Sequence, residues 1–154
     1  MDRRSLGNFA AILAGGVVAG TVDIGAACLI TGRNLPFILH SVAGGLLAQA
    51  SFDGGVRTAI LGAVLQEVMG ILIAAVYVIA SRFALLLARR WIAGGLGYGV
   101  VIFFVMNYVV VPLSAWKRVP HFSPWTFTEN MIAMLLFGLI VAFFARRPTG
   151  SRGS

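Results

Sequence analysis

Polar and ionisable residues inside long apolar segments are the residues of this sequence that could do chemistry. A charged side chain in a bilayer is costly, so such residues pair with one another or mark sites that handle ions or protons. Burial favours the neutral form of a carboxyl group, which lets it exchange protons. We interpret these residues as a buried polar cluster that locks helices together, moves protons or cations, or binds a polar ligand or lipid headgroup. The cluster consists of Asp23, Glu67, Asn107, Glu129 and Asn130.

Membrane helices must position this cluster, because the composition excludes a soluble domain. Of the 154 residues, 59% are apolar and only 11% are charged, whereas soluble domains are about 25% charged. A globular enzyme, a disordered chain and a nucleic-acid-binding module are therefore excluded. We predict an all-α fold in a single membrane domain, 1–154, built as a four-transmembrane-helix bundle. About 20 apolar residues cross a bilayer as a helix, and the predicted spans are about 8–30, 58–81, 91–113 and 127–145.

A fifth apolar segment, at about 35–50, is short for a membrane span. Pro36 suits the first turn of a helix, and His40, Ser41 and Gln49 make the segment partly polar. We therefore predict one short interfacial or re-entrant helix here. The chain from Pro148 onward is predicted to be a flexible tail, 148–154.

The positive charges orient the four predicted spans. Eight of the twelve Lys and Arg residues fall on the side that holds both termini, and the positive-inside rule makes that side cytoplasmic. Trp91, Trp116 and Trp125 lie at predicted span ends, where tryptophans anchor helices in the headgroup region. The sequence thus predicts a multi-pass protein with both termini in the cytoplasm.

Two Gly-x-x-x-Gly pairs provide surfaces for close helix packing. Gly16 and Gly20 lie in the first span, and Gly95 and Gly99 lie in the third. Small residues at this spacing let helices approach closely in lipid, either within one chain, in a homodimer or against another subunit. Asp23 shares a helical face with Gly16 and Gly20, so it should face the bundle interior.

The polar cluster is predicted to lie in the outer half of the membrane. Counting 1.5 Å per residue from the middle of each span places Asp23 ~6 Å, Glu67 ~4 Å and Asn107 ~7 Å toward the outer face. Gln66 and Thr21 lie near the same depth, whereas the inner half is almost purely apolar. This layering indicates a polar cluster or a shallow cavity open to the periplasmic side.

Cofactor and enzyme signatures are weak. His40 and His121, the two histidines, could in principle hold haem, another pigment or a metal, but neither sits in a ligand-spaced motif, and no cofactor is predicted. Cys28 stands alone, so it reads as a small buried apolar residue. The sequence contains no nucleophile elbow, phosphate-binding loop or zinc-protease motif. The hypothesis that the protein is an enzyme would rest on the carboxylates alone, and an enzyme is not expected.

The third and fourth spans resemble the YagU-like group of small bacterial inner-membrane proteins. The residues that carry the resemblance are the Gly-rich start of the third span, Asn107, Pro112-Leu113, Pro124-Trp125 and Glu129-Asn130. The resemblance implies a bacterial inner-membrane location and four spans with cytoplasmic ends. The sequence departs from the group in the fourth span, where a polar, His-containing helix is replaced by the apolar stretch 131–144.

Small size, Gly-lined helices and the lack of catalytic motifs favour a non-enzymatic accessory or packing subunit of a larger membrane assembly. The alternative is a small proton or cation channel, or a proton-coupled transporter, that uses the buried carboxylates. The expected partners are the lipid bilayer, and other membrane subunits or further copies of the chain. No nucleic acid is expected.

Overall fold

The computed structural model describes residues 3–83, 90–117, 119 and 121–146. Within these ranges the chain is helical with short connections and no strand, which confirms the prediction of an all-α fold. The helices have the length and composition of membrane spans. The predicted tail, 148–154, lies outside the described residues. The main helices are α1 Arg3–Thr31, α2 Leu35–Leu47, α3 Gly55–Phe83, α4 Trp91–Leu113 and α5 Pro124–Ala145.

The helix that was predicted at 127–145 begins three residues earlier because its first turn is capped. The Ser123 hydroxyl accepts a hydrogen bond from the backbone N–H of Thr126 at 3.2 Å, and Pro124 occupies the first turn. A serine cap followed by proline is a strong start signal for a helix, since both satisfy or remove orphan N–H groups. Asn34 caps α2 in the same way, accepting from the N–H of Phe37 at 3.1 Å.

The segment that was predicted to be a short membrane-associated helix is longer than expected. A 3-10 helix, Ala48–Phe52, follows α2 directly, and together they form the 18-residue helical segment Leu35–Phe52. It is one of five helices in the described residues that are long and apolar enough to cross a membrane. The predicted number of four spans is therefore not confirmed by length and composition.

This helical segment turns back on itself at Ala48. The backbone of Ala48 has a left-handed φ of 50°, and beyond it the 3-10 helix returns toward the start of α2. The ring centroids of Phe37 and Phe52 lie 5.2 Å apart, and His40 stacks on Phe52 at 5.8 Å. Both ends of the segment thus lie where α1 ends and α3 begins. We call this the α2 end of the bundle and the opposite end, where α4 starts, the Trp91 end.

Glycines bring α1 and α3 into close antiparallel contact. A Cβ atom added to Gly16 would lie 2.6 Å from Cα of Ile71, and one added to Gly20 would lie 3.6 Å from both carboxylate oxygens of Glu67. Gly16 meets Ile71, whereas Gly20, which comes later in α1, meets Glu67, which comes earlier in α3. The two helices therefore run in opposite directions. The predicted Gly16–Gly20 pair packs within this chain.

The second pair of glycines joins α4 to α5 in the same manner. A Cβ atom at Gly99 would lie 2.5 Å from the carbonyl oxygen of Met134, and one at Gly95 would lie 2.9 Å from that of Gly138. The helices α1 and α5 also pack together, with Gly15 against Phe144. The four long helices are therefore linked in the order α3, α1, α5, α4.

A tyrosine pair connects α3 and α4. The rings of Tyr77 and Tyr98 make an edge contact with centroids 5.0 Å apart, and the Tyr98 hydroxyl donates to the carbonyl oxygen of Ile73 at 2.7 Å. Tyr77 also belongs to the main buried cluster. The other members of this cluster are Ala19, Ala74, Phe137, Val141 and Ala142.

All three tryptophans lie at helix ends. Trp91 is the first residue of α4 and Trp125 the second of α5, where its side chain is 73% exposed. Trp116 follows α4 and docks on α2, with its indole N–H donating to the carbonyl oxygen of Ser41 at 3.1 Å. Its ring occupies the space that a side chain at Gly44 would need. The residue thereby fastens α4 to α2.

Candidate functional site

The candidate site is the polar crossing between α1 and α3 at Gly20. Four polar side chains meet there in two hydrogen-bonded pairs, one on each side of the glycine. Two residues separated by two positions differ by about 200° around a helix. Asp23 and Thr21 therefore point to opposite flanks of α1, and each meets a different partner from α3.

The inner pair joins Asp23 to Gln66. The side-chain amide of Gln66 donates to Oδ2 of Asp23 at 2.9 Å and makes a longer contact of 3.5 Å with the carbonyl oxygen of Gly20. On α1, Asp23 lies on the flank that faces α5, which also carries the buried residue Ala19. One amide thus satisfies a carboxyl oxygen inside the bundle while it holds two helices at a fixed height.

The outer pair joins Glu67 to Thr21. The Thr21 hydroxyl donates to Oε1 of Glu67 at 3.3 Å, while Oε2 of Glu67 is buried and has no hydrogen-bond partner among the described residues. Leaving a buried polar atom unpaired costs roughly 1–3 kcal/mol. Thr21 itself is exposed on the outer surface of the helices. The crossing therefore presents a partly satisfied carboxyl group beside the surface that lipid or another protein would touch.

The three other residues of the predicted polar cluster make no hydrogen bond to Asp23 or Glu67 within the described residues. The amide of Asn107 donates to the carbonyl oxygen of Phe103 at 2.8 Å, and that of Asn130 to Thr126 at 2.8 Å. Both bonds stay within one helix. Glu129 is half-buried near the start of α5. The structure thus brings Asp23 and Glu67 to one level, and a functional link to the other three residues stays a prediction.

Asn107 lies in a distortion of α4 that the predicted continuous helix does not include. Residues Met106–Val110 form a π turn, in which the N–H of Val111 donates to Met106 five residues earlier. The cause is Pro112, which has no N–H to donate and whose ring would clash with the carbonyl four residues before it. Such turns recur at functional sites, and the visible signal for this one was a proline inside an apolar helix.

Tyr77 and Tyr98 are polar residues of the Trp91 half of the bundle, which we expected to be almost purely apolar. Tyr77 is 1% exposed, and its hydroxyl has no partner among the described residues. The Tyr98 hydroxyl, in contrast, is bonded to Ile73. The sequence does give a signal for a structural role of these tyrosines. Both lie several residues inside the predicted spans, whereas tyrosines that anchor helices in the headgroup region lie at the span ends.

His40 connects α2 to the start of α3 through hydrogen bonds of its side chain. Its Nδ1 lies 2.6 Å from the carbonyl oxygen of Pro36, and its Nε2 lies 2.9 Å from that of Gly55. Carbonyl oxygens only accept, so a ring nitrogen that bonds to either of them donates its N–H. His121 is exposed and Cys28 is half-buried and free. Within the described ranges no group of three His, Cys, Asp or Glu side chains is arranged to hold a metal ion.

Comparison with known proteins supplies no relative for this chain. It matches no protein-family model, no curated protein and no solved structure.

Proposed function

We propose that this chain is a non-enzymatic accessory subunit of a larger assembly in the bacterial inner membrane. The observation that carries the proposal is the outer pair, Thr21 with Glu67, which sits in the middle of two apolar helices and beside an exposed surface. Intramembrane carboxyl groups usually face a protein interior rather than lipid. A partner helix over this pair would restore such an interior.

The exposed face of α1 around Thr21 suits close approach of another helix. Ala14 and Thr21 are exposed, and a Cβ atom at Gly25 would meet no atom of the described residues within 4 Å. These residues recur at spacings of seven and four, so they share one side of the helix. Both Gly-x-x-x-Gly pairs are already occupied inside the chain, which leaves this small-residue face available to a partner subunit.

Site-specific cross-linking in native membranes tests the proposal. A photoreactive amino acid at Thr21 or Gly25 should give one defined adduct, and its partner should co-purify in fixed stoichiometry. The matched control is Leu72, which is exposed on the far side of α3. Absence of any protein adduct at both positions, together with a monomer in mild detergent, would overturn the proposal.

For the arrangement in the membrane, we propose four crossings with Leu35–Phe52 re-entrant on the periplasmic side. Two observations support it: the Phe37–Phe52 contact, which brings both ends of that segment together, and the chain-wide charge bias toward the side of the termini. Ser5→Cys and Ser151→Cys, each in a Cys28→Ala background, should both be protected from an impermeant maleimide in intact cells. Five crossings would leave one of them reactive.

The two carboxyl groups of the crossing, one from each pair, favour a second candidate function, movement of protons or cations. Asp23 and Glu67 lie at one level, and only one oxygen of each carboxyl group has a hydrogen-bond donor among the described residues. In proteoliposomes, Asp23→Asn and Glu67→Gln should each reduce ion flux, whereas Asp53→Asn, at an exposed carboxylate outside the crossing, should not. Equal flux in all variants would remove this candidate.

A further inference from the structure

An open apolar groove runs along the Trp91 end of the bundle, away from the polar crossing. Its volume is about 400 Å³, and α1, α4 and α5 all contribute to it. Every lining side chain is apolar or aromatic, so the groove suits a hydrocarbon chain. The lining residues are Val18, Trp91, Ile92, Leu139, Ile140, Phe143 and Phe144.

A guanidinium group lies at the mouth of this groove. The Arg146 side chain rests over the ring of Phe143, 3.8 Å from its centroid, and 5.5 Å from the centroid of Trp91. Stacking uses the flat face of a guanidinium and leaves the N–H donors in its plane for a phosphate. Arg146 is exposed and makes no ion pair with any described residue.

The start of α4 adds further positive potential at the same place. Arg90 is exposed at the N-cap, and it supplies no side-chain acceptor to the first N–H groups of the helix. The N-terminal end of a helix attracts anions because its N–H groups are unpaired and its dipole is positive there. No carboxylate lies at this end among the residues that the structure describes.

We propose that the groove binds one anionic phospholipid, with an acyl chain on the apolar lining and the phosphate held by Arg146 near the start of α4. The apolar groove and the Arg146 guanidinium together determine which kind of lipid would bind. A hydrocarbon groove alone would accept any lipid, and an arginine alone would accept any anion, but together they select a lipid with net negative charge.

The test uses Trp91 as a reporter, since bromine atoms on an acyl chain quench a tryptophan that they touch. The protein is reconstituted in vesicles with a small fraction of brominated phosphatidylglycerol or, separately, brominated phosphatidylcholine. Subtracting the quenching measured in Trp91→Phe isolates Trp91 from Trp116 and Trp125. We expect a roughly fivefold preference for the anionic lipid, as about 1 kcal/mol for one arginine implies.

Two variants test whether the preference for the anionic lipid depends on this site. Arg146→Gln should abolish it, whereas Arg33→Gln, at the α2 end, should leave it unchanged. Should Arg146→Gln fail to fold, 0.5 M salt on the wild type should weaken the preference, because screening is strong at that concentration. Equal quenching by both lipids, a preference that survives Arg146→Gln, or no quenching of Trp91 would each overturn the proposal.

Discussion

The side-chain amide of Gln66 and Oδ2 of Asp23 lie 2.9 Å apart and fix α3 to α1 on the inner flank of the crossing at Gly20. One bond thereby satisfies a polar atom in an apolar environment and sets the relative height of two helices. The same turn of α3 carries Glu67, so the inner and outer pairs share one register.

Gln66→Leu should destabilise the protein more than Asp23→Asn. The leucine leaves Oδ2 of Asp23 without its donor, at a cost of roughly 1–3 kcal/mol, while asparagine keeps an oxygen that can accept. Denaturant titration in detergent measures the free energy of unfolding for both. A double-mutant cycle with Asp23→Leu should give a coupling of about 0.6–2 kcal/mol, and additive effects would contradict a direct bond.

Gly16→Ala and Gly25→Ala should have opposite effects although both change glycine to alanine in α1. A methyl group at Gly16 would lie 2.6 Å from the backbone of Ile71, so the helices must separate, which costs about 1–3 kcal/mol. A methyl group at Gly25 would meet no atom of the described part of the chain within 4 Å, and alanine is the better helix former by about 1 kcal/mol. Thermal unfolding of the purified chain compares them. Equal effects would mean that the α1–α3 contact is looser than described.

Tyr77→Phe should be neutral or slightly stabilising, because it removes a buried hydroxyl that has no partner among the described residues. Tyr98→Phe should destabilise by about 1 kcal/mol, since it loses the bond to Ile73. The aromatic edge contact survives in both variants, so the difference isolates the hydroxyl groups. Chemical denaturation of the two proteins decides the matter, and a greater loss in Tyr77→Phe would reveal a partner for that hydroxyl.

Trp116→Ala should loosen α2 without unfolding the four long helices. It removes both the ring against Gly44 and the bond to Ser41, at a cost of about 1–3 kcal/mol. Hydrogen exchange of the α2 backbone should rise while that of α5 stays constant. Trp125→Ala is the control, because this side chain is largely exposed and should change stability by less than about 0.5 kcal/mol. Unchanged exchange in α2 would show that Trp116 does not hold it.

Helices and their glycine contacts follow from the sequence because composition and spacing act over short distances along the chain. Gly16, Gly20, Gly95 and Gly99 were recognisable from their spacing alone. Their partners were not, since the pattern on one helix does not say which helix it meets. The reversal at Ala48 was equally hidden, because alanine rarely adopts a left-handed backbone and gives no warning of it.

The candidate site was partly predictable for the same reason. Counting residues from the middle of each span placed Asp23, Glu67 and Gln66 near one depth. It could not show that Asn107 and Asn130 bond to their own helices, because an amide has a backbone carbonyl four residues back available at any depth. The packing of α1 on α3 is what shows that Asp23 pairs with Gln66 and that Glu67 pairs with Thr21, whereas the other polar residues do not join them.

The π turn at Met106–Val110 places one extra residue in α4 without breaking the helix. Each added residue rotates everything that follows by about 100°, so the last turn of α4 faces a different direction than an unbroken α-helix would give it. Trp116 leaves the helix in that rotated frame and reaches Gly44. Deleting a single residue from the turn would rotate the Trp116 indole by about 100° away from α2, so the closure of the α2 end depends on one inserted residue in α4.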